Sequence, residues 1–156
     1  MAYSYTTEAL YSGEHVRGMD MTPETIPCFM TTAFTMRGFK EVQETYATKG
    51  YTYVRTRNPN RTALGEVISC LEGGESTLIF SSGMGAITST LMTLLSHGDH
   101  VICNSNIYGE TYCVMTEILS KCGIDVTFVD YQNTEDIAKA VRPETKHIYS
   151  EVLSNP

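Results

Sequence analysis

Residues 80–87 read Phe80-Ser81-Ser82-Gly83-Met84-Gly85-Ala86-Ile87. The apolar run Thr77-Leu78-Ile79-Phe80 leads in as a strand, and a run of helical character from Ala86 to Leu95 leads out. The connection is a small, glycine-containing turn at a helix N-terminus. There the first backbone N–H groups lack intrahelical partners and the positive end of the helix dipole faces outward. Ser82, Gly83 and Met84 thus offer a seat for a phosphate. The same residues also make an ordinary strand-to-helix turn, and both readings stand on spacing alone. G-x-x-x-x-G-K-[ST] is absent, so this is not a Walker loop. Without G-x-G-x-x-G, a nicotinamide-binding Rossmann reading is poor as well.

Three other groups of residues have matching chemistry. Alternation along Tyr51-Thr52-Tyr53-Val54-Arg55-Thr56-Arg57-Asn58-Pro59 puts Tyr53 and Arg55 on one side of an extended strand. A phenol and a guanidinium fork projecting together can clamp a phosphate, or simply line an exposed basic strand. Tyr108, before Gly109, falls where a strand gives way to a helix, and parallel sheets place ligands beyond strand carboxyl ends. It can stack on an aromatic ring, act as a phenol acid or base, or cap an apolar edge. Glu151 and Asn155 follow the last strand and can hydrogen-bond a ligand ring or close a turn. His97-x-x-His100 spans a Gly-Asp turn with no Cys or further His beside it, so a zinc site is not expected. Ser82 lacks the G-x-S-x-G elbow of a serine hydrolase.

The elements that would carry these residues fall into two textures. Residues 1–60 are rich in Thr and Tyr, carry Pro23, Pro27 and Pro59, and show one candidate helix near 39–48. They read as an extended arm lying against something else, a partner subunit being the natural candidate. From residue 61 a regular alternation sets in. A helix capped by Asn60 or Thr62 runs to Glu72 and stops at Gly73-Gly74. A strand at 77–80, a helix at 83–96 and a strand at 100–103 follow. Next come a helix at 109–122, a strand at 125–129, a helix begun by Thr134 and a strand at 146–150. Strands separated by crossover helices predict an α/β layer with a mostly parallel sheet over residues 61–156. The sequence ends at Ser154-Asn155-Pro156, just after a strand, and reads as an interrupted domain.

Bulk properties narrow the partners. Eleven Lys and Arg against eighteen Asp and Glu give a net charge of −7, without any basic run. Nucleic acid and acidic membrane surfaces are therefore not expected partners. No apolar stretch approaches the ~18–20 residues of a membrane span, and the N-terminus lacks the pattern of a signal peptide. Five cysteines, an odd number with no C-x-x-C pair, point to reduced thiols and a cytoplasmic location. Cys103, Cys113 and Cys122 lie in apolar or helical surroundings and read as packing residues.

Six motifs, in order, resemble one family. They are Tyr53-x-Arg55-x-x-Asn58-Pro59, Leu71-Glu72-Gly73-Gly74, Phe80-Ser81-Ser82-Gly83-Met84-x-Ala86-Ile87, Gly98-Asp99-His100, Tyr108-Gly109 and Ser154-Asn155-Pro156. Together they resemble the cystathionine γ-synthase, cystathionine lyase and methionine γ-lyase group of pyridoxal-phosphate enzymes, across essentially the whole chain.

The resemblance implies part of an aminotransferase-like (fold type I) large domain behind an N-terminal arm, in a homotetramer built as a dimer of dimers. It implies pyridoxal 5'-phosphate as cofactor and a sulfur amino acid as substrate. Gly83 and Met84, with Ser82, would bind the phosphate, and Tyr53 and Arg55 would reach the phosphate in a neighbouring subunit. Tyr108 would stack on the pyridine ring and take part in proton transfer. Glu151 and Asn155 would lie near the ring, Asn155 beside its 3'-oxygen.

In the family, the Schiff-base lysine and the aspartate that pairs with the pyridine nitrogen come after the Asn-Pro motif. Lys40, Lys49, Lys121, Lys139 and Lys146 match neither position. Glu110 departs from the Gly or Cys that commonly follows Tyr-Gly in relatives. The leading expectation is thus the N-terminal part of a carbon–sulfur lyase working by β- or γ-elimination. The alternatives are a γ-replacement enzyme of the cystathionine γ-synthase or O-acetylhomoserine sulfhydrylase type, a split enzyme, and an inactive fragment that acts only in assembly.

Overall fold

The computed structural model describes residues 24–154, which divide into two compact units with the boundary between Thr77 and Leu78. The first unit holds helices α1 (Phe39–Ala47) and α2 (Pro59–Glu72). Asn58 caps α2 by accepting from the Asn60 and Arg61 amides, and Pro59 takes the first helical position. The cap thus falls earlier than Asn60 or Thr62, because proline at that position has no N–H to satisfy and a φ already suited to the helix. Gly73, at φ 63°, ends α2 in the left-handed conformation that glycine adopts without steric penalty.

Irregular chain in this unit is held by side-chain amides. The Asn60 carboxamide accepts from Phe29 N at 2.8 Å and donates to the Pro27 carbonyl at 2.7 Å, while Asn58 Nδ2 donates to the Phe29 carbonyl. Among the described residues a single isolated antiparallel bridge pairs Ala33 with Tyr53.

Residues 77–80 are extended but form no strand. Thr77 and Ile79 are half-buried whereas Leu78 and Phe80 are exposed, so the zigzag of a strand persists. A strand also needs a hydrogen-bonded neighbour. Among the described residues, Leu78, Ile79 and Phe80 have none.

The second unit is the α/β layer that alternation predicts. Helix α3 (Gly83–Leu94) precedes β1 (His100–Asn104), and helix α4 begins at Gly109–Cys113 and widens into a π-helical stretch at Val114–Leu119. Then come β2 (Asp125–Val129), α5 (Thr134–Ala140) and β3 (Thr145–Tyr149). Asn133, rather than Thr134, caps α5 by accepting from Glu135 N. The three strands are all parallel in the order β2-β1-β3, so β1 is central.

Its residues Val101, Ile102 and Cys103 are fully buried. Val101 and Cys103 pack with Leu91 of α3, with Leu95 just after it, and with Met115 and Leu119 of the π-helical stretch. Gly123 closes the turn into β2 at φ 72°, where a Cβ would fall 2.3 Å from the His97 ring, so both conformation and space demand glycine.

His100 opens β1 with its side chain inside the sheet. One ring nitrogen lies 2.7 Å from Thr145 Oγ1 and the other 2.8 Å from Thr127 Oγ1, so a single imidazole links all three strands. Burial, reinforced by Arg142, holds its pKa below the ordinary value against the opposing pull of Asp125 and Glu144. Of the three cysteines read as packing residues, Cys103 is buried and Cys122 packs at the core edge, but Cys113 is exposed on α4. Burial first and Glu151 second push the Cys103 thiol up to about 12, so it is an inert packing group.

Candidate functional site

The turn at residues 82–84 is a capped helix start, as its residues predict. Ser82 is the N-cap of α3, its Oγ accepting from Gly85 N at 3.0 Å, while its carbonyl accepts from Ala86 N. The Gly83 and Met84 amides occupy the first two helical positions, where no intrahelical acceptor exists. Among the described residues neither amide has a protein acceptor. A Cβ built on Gly83 meets nothing within 4 Å, so the approach to these donors is open. The Met84 side chain packs against the apolar cluster beneath. The turn is therefore anchored from below while its donors face outward.

The N-terminus of α4 adjoins this turn. Tyr108 is the last residue before α4, in extended conformation at φ −58° and ψ 137°, with its side chain 45% exposed. Its N–H donates to Glu151 Oε2 at 2.9 Å. Glu151 follows β3, and its other oxygen, Oε1, accepts from Thr111 Oγ1 at 3.4 Å and from the Tyr149 hydroxyl at 3.3 Å. Thr111 is fully buried, and its hydroxyl also lies 3.9 Å from Met84 Sδ. Burial raises the Tyr149 pKa, so the phenol stays protonated as a donor. Ser82, Gly83, Met84, Tyr108 and Glu151 thus belong to one corner of the second unit. Asn155 lies outside the described residues.

Neither Thr111 nor Tyr149 was legible as part of this corner. A threonine inside a helix and a tyrosine ending a strand have no distinguishing spacing, and only the meeting of α4 with the end of β3 gives them a common partner.

Tyr53 and Arg55 belong to the first unit, and they meet by a different route from the one their alternation predicts. After Tyr53 the chain turns instead of continuing as a strand, with Thr56 N and Arg57 N both bonding to the Tyr53 carbonyl. The Arg55 guanidinium carbon still sits 5.4 Å from the centre of the Tyr53 ring, a cation–π contact. A carbonyl that accepts two local amides favours the turn over a strand with only one bridge to hold it. Arg61, in the first turn of α2, fixes this turn by donating to the Arg55 carbonyl and, at 2.8 Å, to the Thr56 carbonyl. Arg57 bonds back to the Lys49 carbonyl.

Comparison with known proteins bears on what these groups serve. The family model of the Cys/Met metabolism PLP-dependent enzymes matches residues 6–156. The chain belongs to this family.

A cystathionine γ-lyase of Bacillus subtilis is 51% identical over 107 residues, which are 69% of this chain and 28% of that protein. A probable cystathionine γ-synthase of Herpetosiphon aurantiacus is 36% identical over 159 residues, covering 100% of this chain and 46% of its own length. Among solved structures, a putative O-acetylhomoserine (thiol)-lyase from Campylobacter jejuni, determined with N'-pyridoxyl-lysine-5'-monophosphate, superimposes with a TM-score of 0.74 at 30% identity. It is matched over 85% of this chain and 33% of that one. The chain therefore spans less than half the length of these family members. The likeness bears out the expected partial fold type I domain, with its parallel sheet and helices.

The donor set at residues 82–84 fits the phosphate of the family's cofactor. Two amides without protein acceptors at the start of a 12-residue helix, beside an open glycine, supply neutral hydrogen bonds and a favourable dipole. Among the described residues no helix is long and apolar enough to cross a membrane.

Proposed function

We propose that this chain is the N-terminal part of a pyridoxal-phosphate-dependent sulfur amino acid enzyme, a carbon–sulfur lyase acting by β- or γ-elimination in the cytoplasm. The observation that carries this reading is the pair of Gly83 and Met84 amides, without protein acceptors among the described residues and linked to the start of α4 through Thr111, in a chain whose family match runs from residue 6 to 156. Ser82, Gly83 and Met84 hold the phosphate. Tyr108 would stack on the pyridine ring and take part in proton transfer through its phenol oxygen, and Glu151 and Asn155 would lie near the ring. When bound, pyridoxal phosphate supplies the electron sink for breaking bonds at the β or γ carbon.

In this reading residues 1–60 form an arm against a partner subunit, and residues 61–156 are part of the cofactor-binding domain. Tyr53 and Arg55 of one subunit contact the phosphate held by another, within a dimer of dimers. Support comes from α2, which exposes Leu64, Val67 and Leu71 as an apolar stripe at helical spacing. A γ-replacement enzyme is the second reading, favoured by the relation to a probable cystathionine γ-synthase along 100% of this chain.

Incubating the full-length protein with pyridoxal phosphate and cystathionine, methionine or an activated homoserine ester separates the two. Elimination releases a keto acid and ammonia, whereas replacement, with a thiol supplied beside the ester, expels the ester's carboxylate and yields a new thioether without ammonia. Failure of the protein to shift the cofactor's own absorption band, or to retain the cofactor through gel filtration, would sink both. Arg55→Ala is expected to weaken cofactor affinity by roughly tenfold, the scale of a lost charge-assisted contact.

A further inference from the structure

We infer that Glu151 is a positioning residue, which fixes Tyr108 at the start of α4 by accepting its backbone N–H, while Thr111 and Tyr149 hold the carboxylate in place. The inference rests on the reading of Tyr108 as the residue beside the cofactor ring. The Tyr108 side chain is half-exposed, and its hydroxyl has no partner among the described residues, so its backbone sets where the ring can lie. That backbone sits at a junction, where the chain has left β1 and not yet entered the helix.

Glu151 reaches this junction from the far side of the sequence, and its two oxygens take three donors: Tyr108 N at 2.9 Å, Tyr149 Oη at 3.3 Å and Thr111 Oγ1 at 3.4 Å. With both oxygens engaged by the protein, the carboxylate is a tether between the end of β3 and the start of α4. An anion suits this place because it faces the positive end of the α4 dipole. The link also extends to the phosphate turn, since the fully buried Thr111 hydroxyl lies against Met84 Sδ. One carboxylate thus holds Tyr108 and the turn at residues 82–84 in a common frame.

The test uses the full-length protein and the variants Glu151→Ala, Glu151→Gln and Thr111→Val. Amide hydrogen exchange at Tyr108, followed without cofactor, reads the tether directly. The affinity for pyridoxal phosphate and the visible-region circular dichroism of the bound cofactor read its consequence. Glu151→Ala is expected to speed Tyr108 exchange by roughly tenfold, to weaken the cofactor by about as much, and to diminish its dichroism. Glu151→Gln keeps an oxygen to accept from Tyr108 and is expected to restore most of all three.

Unchanged Tyr108 exchange in Glu151→Ala overturns the inference. So does a Glu151→Gln protein with normal exchange but the dichroism of the alanine variant, because the charge would then be acting on the cofactor itself. Should Glu151→Ala not fold, Thr111→Val decides: faster Tyr108 exchange supports the tether, and unchanged exchange refutes it. Failure of the wild-type protein to bind pyridoxal phosphate would overturn the proposed function, whereas the exchange measurement would still decide the tether.

Discussion

The two units hold their candidate site residues by opposite means. In the second, Gly83, Met84 and Tyr108 sit on helix N-termini and strand ends whose other sides are buried in an apolar core, with Leu91, Met115 and Leu119 almost or wholly inaccessible. In the first, Tyr53 and Arg55 sit on a turn held by hydrogen bonds from Arg61 and Arg57 to backbone carbonyls. Gly65 is the one buried residue among those described there. A core fixes a site by many nonspecific contacts, so its geometry survives the loss of one polar bond. A turn fixed by a few directional bonds is defined by those bonds alone. The first unit also exposes Leu64, Val67 and Leu71 on one face of α2, so its apolar residues do little for it by themselves.

The largest expected effect tests the core side of this contrast. Met115→Ala should destabilise the protein by about 2–5 kcal/mol in urea unfolding, because it removes a fully buried side chain and leaves a cavity. In the first unit the corresponding truncation, Leu71→Ala, should stay within about 0.5 kcal/mol for the separate chain, since Leu71 is 74% exposed. Equal losses would erase the contrast and show that something covers α2.

A smaller effect, about 1–2 kcal/mol, is expected for Asn58→Ala, which removes the α2 cap and a bond to the Phe29 carbonyl. The contrast sharpens if this polar change proves more damaging than the loss of the leucine.

The gentlest effect is a dependence on pH that belongs to the second unit. His100 is neutral when buried between Thr127 and Thr145, and its folded pKa lies below the ordinary value. For a base with a depressed folded pKa, the unfolded chain binds the proton more readily. The stability from this group is therefore present above about pH 6.5 and is lost as the pH falls below it. Unfolding midpoints measured from pH 7.5 down to 5 should decline, and His100→Gln should flatten the slope. A rising midpoint would show that the imidazole is paired as a cation.

Much of the fold was legible because the relevant signals are local. The strand at 125–129 matches its expected bounds, and Gly73 and Gly123 end their helices where glycine was needed. The start of α2 was legible in principle too, since Asn58-Pro59 is itself a cap followed by proline. Two readings failed because they treated local pattern as sufficient. Residues 77–80 have the apolar content of a strand but no hydrogen-bonded neighbour, and Tyr53-Val54-Arg55 has strand alternation but bends where its carbonyl captures two amides.

The sequence by itself determined the capped turn into α3, the family motifs that carry the proposed site, and the order of elements from α3 to β3, because each depends on residues close together in the chain. The tertiary structure alone decided that Glu151 grips the Tyr108 backbone, that Thr111 joins it to Met84, and that His100 ties three strands through two threonines. These contacts link residues from 27 to 45 positions apart, and no spacing rule reaches that far. The parallel register brings the strand ends and helix starts together, and a carboxylate or imidazole there finds the donors that burial would otherwise leave unpaired.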